Sequence, residues 1–134
     1  MSGSPIQAKQ ISVFVENRPG RLTSVLEALE SLGVSIRGMS VADAAEIGIV
    51  RLIVTEPEEA FEELRRRGFT ARIDAVLCVE IDDVPGGLLH GLAEPLSRAN
   101  LNLHYFYAYT EPSSSKVMAV VKTDDLETAE RALH

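Results

Sequence analysis

Seven consecutive residues, Glu16-Asn17-Arg18-Pro19-Gly20-Arg21-Leu22, have the types and spacing to hold a small anion. Pro19 presets φ and Gly20 admits positive φ, so the backbone can turn sharply between them. A tight turn from a strand into a helix leaves N–H groups unpaired at the helix start, with the positive end of the helix dipole behind them. A carboxylate suits that place. Asn17 adds an amide that both donates and accepts hydrogen bonds; it could equally cap the helix that follows. The flanks fit the turn. Ile11-Ser12-Val13-Phe14-Val15 alternates as a strand, and Leu22, Val25, Leu26, Leu29 and Leu32 recur at helical spacing.

The same chemistry occurs again 66 positions later, where Val79-Glu80-Ile81-Asp82-Asp83-Val84-Pro85-Gly86-Gly87-Leu88 lies over Val13 to Leu22. Leu26 lies over Leu92, and after one extra residue Gly33-Val34-Ser35-Ile36 lies over Asn100-Leu101-Asn102-Leu103. Ile47 to Thr55 then matches Lys116 to Thr123. A Pro-Gly turn alone is an ordinary turn; its recurrence, each time between an alternating strand and an amphipathic helix, points to a ligand-binding loop. The polar residues differ between the copies. Copy one has Asn17 in the loop and Ser35 before its second strand; copy two has Asp83 in the loop and Asn102 before the strand. Asn102 could be a solvated surface residue. Asp82 and Asp83 could hold an ammonium group or cap the helix near Pro85.

The elements that must position these residues follow from the repeat. Copy one reads as strands at 10–16, 34–41, 47–55 and 69–73 with helices at 20–32 and 57–67. Pro57 fits a first helical turn, Glu58 and Glu59 fit its positive end, and Gly68 fits the position past Arg65-Arg66-Arg67. Copy two reads as strands at 75–82, 101–110 and 116–123 with helices at 86–98 and 124–133. Asp124 with Glu127 reads as a capping box. The hairpin turns are Asp43-Ala44-Ala45-Glu46 and Glu111-Pro112-Ser113-Ser114-Ser115. Pro95 falls inside a helix and predicts a kink, eased by Gly91.

Strand-helix-strand-strand-helix-strand is the ferredoxin-like arrangement, with both helices on one face of an antiparallel sheet. The expected class is α+β: a flexible N-terminus over 1–9, one βαββαβ unit over 10–74 and a second, in tandem, over 75–134. A linker of about one residue, Asp74, places the copies close together. The second copy has no final strand before His134, so an edge beside its first strand is open, which predicts a homodimer or higher homo-oligomer.

The loop Glu16-Asn17-Arg18-Pro19-Gly20 resembles the first strand-to-helix loop of the ACT domain, a family of amino-acid-binding regulatory modules with this ferredoxin-like fold. The whole chain resembles two such domains in tandem. In a serine-binding ACT domain a histidine stands two residues before the asparagine, where this chain has Val15, and a second asparagine, at the place of Asn102, reaches the ligand across an interface. The resemblance implies a non-catalytic amino-acid sensor that binds its ligand between the repeats and regulates an enzyme or a transcription factor, with no cofactor. It implies one site of Asn17, Arg18, Pro19, Gly20, Arg21, Leu22 and Asn102, and a different one of Asp83, Pro85, Gly86, Gly87, Leu88 and Ser35.

Other functions on the same fold need residues in other patterns. A small acylphosphatase-like hydrolase needs an arginine in a phosphate-cradling loop; Arg18 or Arg21 could be offered, but Pro-Gly is not such a cradle. An RNA-binding module needs exposed aromatics among basic residues. Tyr105, Phe106, Tyr107 and Tyr109 supply aromatics, suited also to packing or an oligomer interface, but the net charge is −7. That charge opposes a phosphate-backbone binder. His90 and His104 have no spacing for zinc. Arg65-Arg66-Arg67 reads as a solvated helix end, and the single Cys78 as a buried small apolar residue in a reducing cytoplasm. No apolar run reaches the roughly 18–20 residues of a membrane span.

Overall fold

A computed structural model describes residues 5–44, 46–110 and 113–134. Residues 1–4 of the expected flexible N-terminus, Ala45 of the first hairpin turn, and Glu111 and Pro112 of the second lie outside the described residues. The elements run β1 (Ile6–Glu16), α1 (Arg21–Ser31), β2 (Ile36–Ala44), β3 (Ile47–Val54), α2 (Pro57–Arg66), β4 (Thr70–Asp82), a π-helical turn (Leu89–Ala93) leading into α3 (Glu94–Arg98), β5 (Leu103–Thr110), β6 (Lys116–Thr123) and α4 (Leu126–Leu133). The backbone forms two compact units, Lys9–Asp74 and Ala75–His134, the latter including residues 5–8.

In the unit Lys9–Asp74 the strand order is β2-β3-β1-β4. β3 is antiparallel to both neighbours, with Val50 opposite Val13 on one side and Val41 on the other. Alternation sends Ile11, Val13 and Val15 of β1 and Val50, Leu52 and Val54 of β3 to one face, where Val25, Ala28 and Leu29 of α1 and Ala60 and Leu64 of α2 cover them. Fully burying each large side chain contributes about 1.5–3 kcal/mol. The ends of α2 are as expected. Pro57, Glu58 and Glu59 occupy its first turn, and Gly68 follows it at φ 89°. Arg66 and Arg67 are not wholly solvated: both close on the Glu63 carboxylate, Arg67 Nε at 2.7 Å. The Arg67 guanidinium holds the Glu63 carboxyl below its usual range.

The second unit has the order β1-β4-β6-β5. Leu77, Val79 and Ile81 of β4 and Ala119 and Val121 of β6 pack with Leu92, Leu96, Ala129 and Leu133. The place beside β4 where a final strand was expected belongs to β1, whose residues Ile6–Ala8 are part of this unit. Gln7 Nε2 donates to Glu130 Oε1 at 3.2 Å. Residues 6–9, expected to be flexible, are therefore strand, and the open edge beside β4 is filled. An unpaired row of backbone donors and acceptors is costly, and a strand from the far end of the chain satisfies it as well as a C-terminal one.

Two local expectations are corrected. The strands expected at 69–73 and 75–82 are one strand, β4, which runs unbroken through Asp74; Arg72-Ile73-Asp74-Ala75-Val76 contains no Gly or Pro to break it. Pro95, where a kink was expected, follows a π-helical turn. Its missing N–H and its ring disturb the bond to residue 91, and a wider turn absorbs the mismatch. The cap of α4 is Asp125, not Asp124: Thr128 N donates to its Oδ1 at 3.1 Å. Asp124 instead meets Nε2 of His104, which is exposed on β5.

Candidate functional site

The first Pro-Gly loop hangs from the end of β1. Asn17 N donates to Glu46 O (2.9 Å), Arg18 N to Glu16 O (2.9 Å), Arg21 N to Arg18 O (3.4 Å) and Ser24 N to Gly20 O (3.0 Å). Gly20 stands at φ 91°, ψ −16°, at the start of α1, in the left-handed region that a residue without Cβ enters freely. In the second loop Asp83 N donates to Ser115 O, Val84 N to Asp82 O, Gly87 N to Val84 O and His90 N to Gly86 O. The offset of 66 therefore holds for every donor, and for every acceptor except the first, where Glu46 and Ser115 lie 69 apart. These bonds also consume the Arg21 amide, one of the helix-start N–H groups expected to be free for an anion.

Asn17 does not cap α1. No side chain caps that helix, and Asn17 Nδ2 donates to Asp43 Oδ1 on β2 at 2.9 Å. Asn17, Arg18 and Pro19 are exposed, and Leu22 is half-buried against the core. Ser35 is exposed and exchanges bonds with Thr55, its N–H reaching Oγ1 at 3.1 Å. Asn102, Asp83, Pro85 and Leu88 are exposed in the second unit. The Asp83 N–H donates to Ser115 O. Cys78 is half-buried rather than fully enclosed, and burial pushes its thiol pKa up.

Beside the first loop lies a cavity of about 380 Å3, lined by Phe14, Val15, Glu16, Arg21, Ile47, Gly68, Phe69 and Thr70. Only Glu16 and Arg21 of the loop stretch reach it. The Arg21 guanidinium lies over the Phe69 ring, 4.8 Å from its centroid. Its Nε–H is buried and has no hydrogen-bond partner among the described residues. A buried charged donor without a partner is uncommon and disfavoured. Glu16 makes 3.5 Å contacts with Arg18. Phe14 lies under Arg72 at 5.3 Å. The sequence did not single out Phe14, Gly68, Phe69 or Thr70 as site residues; its one pointer was Gly68, read as the end of α2.

The second loop has a cavity of about 290 Å3 lined by Ile81, Asp82, Val84, Pro85, Gly86, Gly87, His90 and Gly91. Its charge is already balanced. Asp82 faces Lys116 in the β4–β6 register, the two side chains are in contact, and the Lys116 ammonium holds the Asp82 carboxyl down to about 2. His90 Nδ1 meets Glu94. At Arg21's place stands Gly87, where a Cβ would lie 2.2 Å from Asp82 O.

Comparison with known proteins agrees with the repeated fold. A family model described as an ACT domain pair matches residues 6–133. Protein BT0572 from Bacteroides thetaiotaomicron has a similar structure, with 29% identity and a TM-score of 0.89 over 98% of this chain and 89% of that one. The ligand-free regulatory subunit of aspartate kinase from Thermus thermophilus shares the fold at 18% identity and a TM-score of 0.75, over 99% of this chain and 93% of that one. Within the aspartate kinase of Clostridium acetobutylicum, 33% of that chain matches 96% of this one, at 19% identity and a TM-score of 0.56. No curated protein matches the chain. Among the described residues no helix is long and apolar enough to cross a membrane. With a family model spanning nearly its whole length and two Pro-Gly loops bonded alike, this chain belongs to the ACT domain pair family.

Proposed function

We propose that this chain is a non-catalytic, amino-acid-binding regulatory protein of the cytoplasm. The observation that carries the reading is the duplicated strand-loop-helix turn, bonded alike in both copies, within a chain of the ACT domain pair family. The first loop adds a cavity with a guanidinium donor that the protein leaves unused. An amino-acid carboxylate would satisfy such a donor with a charge-assisted hydrogen bond.

The chain's effect is exerted on another protein, an enzyme or a transcription factor. The Thermus thermophilus relative, described as the regulatory subunit of aspartate kinase, supports a fold of this size acting apart from a catalytic chain. It also works as a homo-oligomer. Met39 and Val41 on the edge strand β2, and Phe106 on the edge strand β5, are exposed, and uncovered apolar edges favour pairing. Calorimetry with each of the twenty amino acids, at up to millimolar concentration, tests the ligand reading. Binding of at least one is expected, and heat from none of them overturns it. Sedimentation at micromolar concentration tests the oligomer, where a monomer is the adverse result.

A further inference from the structure

We infer that the cavity at the end of β1 takes an apolar α-amino acid, with its carboxylate on Arg21, its ammonium on Glu16 and its side chain against Phe14, Ile47 and Phe69. The inference rests on the amino-acid-binding reading and adds the site and the ligand class. At about 380 Å3 the cavity falls within the roughly 300–1,000 Å3 of small-molecule sites. Phe14, Val15, Ile47 and Phe69 form the apolar half of its lining, and its charged groups are one cation and one anion, the pattern of a zwitterion with a hydrophobic body.

The cation is prepared for a carboxylate. Stacking on Phe69 at 4.8 Å holds the guanidinium plane, and a planar fork matches two carboxylate oxygens. The buried Nε–H has no partner among the described residues, so a small turn of the side chain toward a ligand oxygen would complete the donor set. The anion is available for a reason the repeat makes visible. Glu16 stands opposite Ile47 across β1 and β3, whereas its counterpart Asp82 stands opposite Lys116 and is neutralised by it. Glu16's own partner is the neighbouring Arg18, at 3.5 Å and with both side chains largely exposed, a pairing of little strength. In the second copy Gly87 replaces Arg21, and its space is closed by Asp82 O. The two charges that would bracket a zwitterion thus occur together in the first copy alone.

The test is calorimetry on the full chain with L-leucine, L-valine, L-methionine and L-phenylalanine, against L-serine, L-aspartate and L-lysine. L-leucinamide and 4-methylpentanoate serve as probes lacking the carboxylate or the ammonium. An apolar amino acid should bind about tenfold or more tightly than the polar ones. Arg21→Gln should weaken it about 10- to 100-fold, as expected for a lost hydrogen bond to a charged group. L-leucinamide should bind as poorly to wild type as leucine does to Arg21→Gln, and 4-methylpentanoate should not distinguish wild type from Glu16→Gln. On wild type, the ligand should shift the Gly68 and Thr70 amide resonances. That footprint decides the matter if Arg21→Gln fails to fold by circular dichroism, and Arg21→Lys, which keeps the charge and loses the fork, is the second variant. Three results overturn the inference and leave the amino-acid-binding reading standing: only polar amino acids bind, Arg21→Gln leaves affinity unchanged, or the footprint falls on Asn17 or Asn102 without Gly68. Binding of no amino acid overturns both.

Discussion

Replacing the glycine of each loop by alanine separates two physical reasons for glycine in one repeated motif. At Gly20 a Cβ would have no atom within 4 Å, but the residue's φ is +91°. Alanine there meets only the left-handed backbone penalty of about 1–2 kcal/mol, partly offset by about 0.4–1 kcal/mol from a stiffer unfolded chain. The net cost is about 1 kcal/mol. Gly87 is the opposite case: a Cβ would stand 2.2 Å from the Asp82 carbonyl oxygen, where ordinary contact begins at 3.4 Å. The obstacle is backbone at the end of β4, so the strand end or the helix start must move by more than an ångström. Overpacking of this kind costs about 1–3 kcal/mol, occasionally more, and a rigid obstacle puts Gly87→Ala at the top of that range. For a chain of this length each kcal/mol lowers Tm by about 3–5 °C. Thermal unfolding followed by circular dichroism should therefore show Gly20→Ala lower by about 4 °C and Gly87→Ala by about 10 °C or more. The displaced Asp82 should also lose its fit to Lys116, so its carboxyl pKa, read by NMR, should rise from about 2. A Gly20→Ala loss larger than that of Gly87→Ala, or an unmoved Asp82 pKa in Gly87→Ala, would refute the reasoning.

Other perturbations test the rest of the structure. Asp125→Ala should cost about 1 kcal/mol by removing the cap of α4, while Asp124→Ala, which removes an exposed contact to His104, should cost under about 0.5 kcal/mol; urea midpoints compare them, and equal losses refute the cap assignment. Asp82 is held at about 2 by Lys116, below the roughly 3.9 of an unpaired aspartate, so its contribution is present above about pH 4 and is lost as pH falls toward 2. Lys116→Met should accordingly raise the acid-unfolding midpoint and leave the pH dependence between 5 and 8 unchanged; an unmoved acid midpoint tells against the pair. Deleting residues 1–8 removes the strand beside β4 in the second unit and should lower Tm and promote self-association in sedimentation, since it opens a strand edge; an unchanged Tm would show that β1 does not complete that unit.

Much of the fold is written in local patterns. Alternation marks β1 and β3, the interval of three and four marks α1, and Pro57 with Gly68 brackets α2 where the helix stands. The 66-residue repeat revealed the fold class and both Pro-Gly loops, because each depends on a few adjacent residues whose φ preferences and periodicity are properties of the chain itself. What the sequence left undecided was set by partners distant along the chain. Nothing near Ile6 says that it belongs with residues beyond Ala75; that follows from the open edge beside β4, which exists only once the other strands have paired. Asp125 rather than Asp124 caps α4 because Asp125 is the residue with extended backbone, φ −141° and ψ 96°, directly before Leu126, while Asp124 meets His104, twenty residues away. Asn17 was legible as a polar loop residue, yet its amide is turned to Asp43 by the neighbouring hairpin. Arg21 was legible as a member of the first loop's site, but not with the partner it has. That its guanidinium lies on Phe69 with an unused Nε–H, beside a Glu16 facing isoleucine instead of lysine, was decided by tertiary packing, because side-chain direction and cross-strand register are fixed by neighbours that local sequence does not name.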